Sequence, residues 1–127
     1  MDTPTSPSNK FMKLNKYYEL VYKAPIYYVF DCSQKKAKKL FQKEMGLKEK
    51  EANEMLEKTW GVGHSFAHYA KGNTVYGLWI ENIENSEVLV HELIHLVRFI
   101  FNDRGVGITD NDEPFAYLVE HLYKQLI

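Results

Sequence analysis

The residues with chemistry to offer are His91, Glu92 and His95, in the run His91-Glu92-Leu93-Ile94-His95. The run lies inside Ser86–Phe101, SEVLVHELIHLVRFIF, whose spacing predicts one helix reaching about Asn102 or Asp103. On a helix, positions i and i+4 share a face one turn apart, so both imidazoles can point at one spot. Two neutral imidazoles suit a zinc ion, which takes nitrogen ligands at about 2.0–2.1 Å in a tetrahedral set. Glu92 is offset by about 100° around the helix from His91, close enough to serve as a base without being a ligand. This is the arrangement in which zinc acidifies a water and a glutamate takes its proton during hydrolysis. The surrounding Val88, Leu89, Val90, Leu93, Ile94, Leu96 and Val97 predict a helix buried almost all round. Polar groups in such a helix are costly unless something pairs with them.

Two histidines do not complete a catalytic zinc site, which ordinarily has three protein ligands and an open position. A third histidine six residues after His95 is absent, since position 101 is Phe. A following helix offers Glu113 and Glu120, seven apart and so on nearly the same face, with Tyr117 and His121 beside them. Histidine or aspartate would serve a zinc ion equally well. Asp110 and Asp112 are candidate acceptors for a ligand histidine's second N–H. Tyr117 or His121 could donate a hydrogen bond to the oxyanion of a tetrahedral intermediate.

The elements that must position these groups can be read along the chain. Residues 1–10 are rich in Pro, Ser and Thr and predict a disordered arm, leaving 11–127 as one domain. Phe11–Lys23 and Ile26–Phe30 are rich in strand formers and are separated by Ala24-Pro25. Their tyrosines, Tyr17, Tyr18, Tyr22, Tyr27 and Tyr28, are expected in the sheet and core. Ser33 caps a predicted helix Gln34–Met45 that ends at Gly46. Its Lys35, Lys36, Lys38, Lys39 and Lys43 read as a solvated face. A second helix, Lys48–Lys58, buries Ala52, Met55 and Leu56. Trp60–Ala70 and Thr74–Glu81 predict a β-hairpin turning at Lys71-Gly72-Asn73. Apolar residues alternate on both faces of Thr74–Glu81, so both are covered. On a strand, His64 and His68 would stand about 13 Å apart, too far to share a metal. Ser86 is the expected cap of the histidine helix. The last helix, Glu113–Leu126, follows the break at Arg104-Gly105-Val106-Gly107 and a cap from Asp110-Asn111-Asp112.

Composition narrows the function classes. The 127 residues suffice for one cored domain, with 45% hydrophobic and 14% aromatic residues. A net charge of −1 gives no global reason to expect nucleic acid or an anionic membrane as partner. The single Cys32 forbids an intramolecular disulfide and fits a reducing cytoplasm. MDTPTSPSNK has no apolar core and does not read as a signal peptide, and no apolar run is long enough to span a membrane. No internal repeat is present, and nothing specifies an oligomeric state.

HELIH followed after a short loop by EPFAYLVEHL resembles the small zincin-like proteins of gluzincin type, metallopeptidase-related and often phage-encoded. The positions that carry the resemblance are His91, Glu92, His95, Glu113, Ala116 and Tyr117, and it covers roughly Asn82–Ile127. It implies Glu113 as the third zinc ligand. Ala116, one turn on, is small enough to let the two helices approach closely. The N-terminal half carries no such resemblance.

The expectation is therefore an α+β minimal zincin-like domain, a twisted antiparallel sheet packed on the histidine helix and closed by the last helix. Its chemistry would be zinc-dependent hydrolysis of peptide bonds in a peptide or protein substrate, with Glu92 as general base. For a phage-encoded chain the setting would be the host cytoplasm. The strand Thr74–Glu81 could pair with an extended substrate. The rival expectations are a zinc amidase acting on a non-peptide amide, and a non-catalytic zinc protein with a structural or host-interaction role.

Overall fold

The computed structural model describes residues 12–70, 72–110 and 112–127, so the N-terminal arm expected over 1–10 lies outside the described residues. The order is β1 (Asn15–Glu19), β2 (Ala24–Phe30), α1 (Gln34–Glu44), α2 (Glu49–Glu57), β3 (Gly63–Ala70), β4 (Asn73–Ile80), α3 (Ser86–Asp103) and α4 (Asp112–Leu126). The fold is α+β, with one four-stranded sheet in the order β1-β2-β4-β3.

The sheet is mixed rather than antiparallel. β1 and β2 form a hairpin, and β3 and β4 form another. The hairpins join through parallel pairing of β2 with β4, from Ile26↔Tyr76 to Phe30↔Ile80. A parallel pair needs a long crossover, and α1 and α2 provide it. β4 therefore has neighbours on both sides, which overturns its expected role as a strand that pairs with substrate. Among the described residues the outer edges belong to β1 and β3.

The alternation along β4 explains the layers. Tyr76, Leu78 and Ile80 pack with Ile26 against Leu89, Leu93, Leu96, Val97 and Ile100 of α3 and Leu118 and Leu122 of α4. Trp79 and Val29 face the other way, onto Ala37, Leu40 and Phe41 of α1 and Trp60. The sheet is thus covered on both faces, each core drawing on alternate residues of one central strand.

Caps set the helix bounds. Ser33 Oγ accepts from Lys36 N at 3.1 Å, as expected. The cap of α3 is Asn85, whose Oδ1 accepts from Val88 N at 3.3 Å, and Ser86 is the first helical residue. The cap expected from Asp110-Asn111-Asp112 includes residue 111, which lies outside the described residues. Lys38 is buried rather than solvated. Its ammonium donates to the carbonyls of Leu56 and Lys58 at the end of α2 and stands over the Trp60 ring. Leu56, expected in the core, is exposed, and so is Tyr18.

Candidate metal centre

α3 sits on the sheet through Leu89, Leu93, Leu96 and Ile100, all buried. That leaves one flank against β3 and the other against α4. His91 and His95 fall on the β3 side of the exposed face, and their Nε2 atoms stand 3.1 Å apart. Two nitrogens at the usual distance from one tetrahedral zinc would be ~3.3–3.4 Å apart. The pair therefore already converges at nearly the spacing of two ligands. As the rings stand, one N–H is shared between the two nitrogens.

Glu92, one residue on, is turned inward and buried. Its Oε1 accepts from Ser65 Oγ of β3 at 2.8 Å. A cleft of about 330 Å³ opens beside it, lined by Trp60, Gly61, Gly63, Val88, His91 and Glu92. Glu92 and one imidazole thus share a solvent-accessible hollow between the start of β3 and the first turns of α3.

His64 faces the other side of β3. Its ring stacks on Trp60 with centroids 4.8 Å apart. Burial holds its pKa below the ordinary imidazole value, and the nearby Glu92 carboxylate opposes that shift. His68 is 3.6 Å from Glu51 of α2. These two histidines are sheet residues under α2, as their spacing implied.

The remaining expected site residues lie elsewhere. α4 packs on the flank of α3 that carries Val90, Leu93 and Ile94, opposite the flank facing β3. Glu113 is exposed in its first turn. Glu120 makes a surface ion pair with Lys124 at 3.9 Å. Among the described residues, no three His, Cys, Asp or Glu side chains are gathered closely enough to hold a metal. The structure brings His91, Glu92 and His95 together and does not bring Glu113 to them. Tyr117 and His121 line a separate cleft with Glu19, Val21 and Pro114, where Tyr17 Oη and His121 Nε2 are 2.8 Å apart. Neither lines the cleft beside Glu92, so this geometry offers no support for an oxyanion role. Asp112 Oδ1 accepts from the Glu113 backbone N–H at 3.0 Å, a helix-end contact rather than one to a histidine.

Ser65 and Gly63 carry no signal in the sequence that ties them to Glu92. Their alternation on a predicted strand two residues apart is the only hint, and it does not say which helix the strand faces.

No family model, curated protein or solved structure matches this chain.

Proposed function

We propose that the protein is a zinc-dependent hydrolase of peptide bonds, with His91 and His95 as two metal ligands and Glu92 as general base. The observation that carries the reading is the 3.1 Å separation of the two Nε2 atoms beside a buried, hydrogen-bonded Glu92. Glu113 is the third ligand that the resemblance to gluzincin-type proteins implies, and reaching the pair requires the first turn of α4 to move toward β3. Zinc, when bound, would supply a Lewis acid and an acidified water. Glu92 accepts a proton from the water that attacks the carbonyl carbon, then gives it to the nitrogen as the C–N bond breaks. Among the described residues β3 is an outer strand and its first residue, Gly63, lines the cleft, a place where an extended peptide could add as a further strand.

A second reading has its own support. With no third ligand beside the pair among the described residues, the two histidines could hold zinc for structural or binding purposes without turnover.

The deciding experiment combines metal content with turnover on a peptide library. The hydrolase reading expects one zinc per chain, lost in His95→Ala and Glu113→Ala. It also expects Glu92→Gln to keep the metal and lose roughly 10²–10⁴-fold in rate. Full zinc occupancy without cleavage of any peptide would favour the second reading. No zinc in the unsubstituted chain would reject both.

A further inference from the structure

We infer that Ser65 is a positioning residue for Glu92, its hydroxyl fixing the carboxylate beside the His91/His95 pair. The inference rests on the hydrolase reading above. Gly63 and Ser65 are two apart on β3 and share the face turned to α3. Val88 and Glu92 are four apart on α3 and share the face turned to β3. The two pairs nest against each other. A Cβ on Gly63 would stand 2.5 Å from Val88 Cγ1 and 3.4 Å from Glu92 Cγ. Glycine at 63 therefore sets how closely α3 can approach, and at that approach Ser65 Oγ reaches Glu92 Oε1 at 2.8 Å.

Both partners are buried, Ser65 at 4% exposure and Glu92 at 9%. A buried carboxylate left without a donor is costly, so this hydroxyl determines where the carboxylate rests. A serine has one O–H to donate. It engages Oε1, and among the described residues no hydrogen bond is made to Oε2. One oxygen is held and the other is left to accept a proton.

The test has two arms. In the first, unfolding by urea is followed for Ser65→Ala, Glu92→Leu and the double variant, all metal-free, since leucine has no acceptor for the hydroxyl. The contact predicts non-additive midpoints, and additive ones would overturn the proposal whatever the protein does. In the second, the same serine variants are loaded with zinc and assayed on the best library peptide. Ser65→Ala should keep one zinc and an unchanged KM while kcat falls about 10- to 100-fold, the range for groups that orient metal-site residues. Ser65→Thr, which keeps the hydroxyl, should recover most of the rate. Unchanged kcat in a zinc-loaded Ser65→Ala, or no recovery with threonine, would reject the role of Ser65 alone. Non-additive unfolding in a chain that takes up no zinc and cleaves nothing would reject the hydrolase reading, and the positioning role with it.

Discussion

The side chains around the candidate centre differ in how firmly their environment fixes their charge. His64 is the clearest case. Its folded-state pKa lies below the ordinary imidazole value because burial disfavours the cation. The unfolded chain therefore binds the proton more readily, and the sign follows. The contribution of a neutral His64 to stability is complete above about pH 6.5 and declines as pH falls below it. His64→Phe keeps a flat ring against Trp60 and removes that ionisation. Comparing urea midpoints at pH 7.5 and pH 5 should show a smaller acid loss in the variant than in the parent, and equal losses would mean His64 is not held neutral. Cys32 offers a second check. Burial pushes its thiol up to about 11, outweighing the hydrogen bond that Trp79 contributes and the charge of Lys36. At pH 8 it should react with a thiol reagent at least about 100-fold more slowly than the urea-unfolded chain, because the thiolate is the reactive form. Rapid labelling of the native protein would contradict the burial of Cys32.

At the scale of elements, the close approach of strands and helices depends on a few small residues. Gly77 of β4 faces Phe66 of β3 directly across the ladder. A Cβ at 77 would collide with the Phe66 ring, which itself packs edge-on against Phe41 at 5.1 Å. Gly77→Ala should therefore cost about 1–3 kcal/mol by overpacking, read from urea denaturation, whereas a neutral result would mean that the ring has room to move. The same elements show what the sequence could reveal. The four helices among the described residues were legible to within a residue or two at most of their ends, because Ser33 and Gly46 are local signals and the apolar stripes are periodic. The β3–β4 hairpin was legible for the same reason. Parallel pairing of β2 with β4 was not, since Ile26 and Tyr76 are joined by no local pattern. The burial of Lys38 was equally hidden, because its acceptors are carbonyls of another helix. The apolar residues on both faces of β4 hinted that the strand is central, but covered faces do not specify which strands lie at its edges. His91, Glu92 and His95 could be placed together from helical spacing alone. Ser65 could not, because its role depends on which helix β3 packs against.

Over the whole molecule, α3 is the shared member of two contacts, one with β3 that seats Glu92 and one with α4 through Phe101 and Phe115 at 5.4 Å. α4 itself is anchored by Leu118, Leu122 and Leu126, while its first turn, including Glu113, is exposed. No helix among the described residues is long and apolar enough to cross a membrane. A ligand that binds only the folded chain stabilises it in proportion to its affinity, by about 2.7 kcal/mol at a hundred times Kd. Where that stabilisation is felt depends on which elements the ion joins. With Glu113 as ligand, zinc ties the first turn of α4 to α3, and amide hydrogen exchange should slow in both α3 and residues 112–120. With the imidazole pair alone, slowing should be confined to α3. Hydrogen-exchange mass spectrometry with and without one equivalent of zinc separates the two. The hydrolase reading expects protection to spread into α4, and to vanish from both α3 and α4 in Glu113→Ala, which no longer holds the metal. Protection limited to α3 in the unsubstituted chain would remove Glu113 from the ligand set and favour a zinc site held by the two histidines.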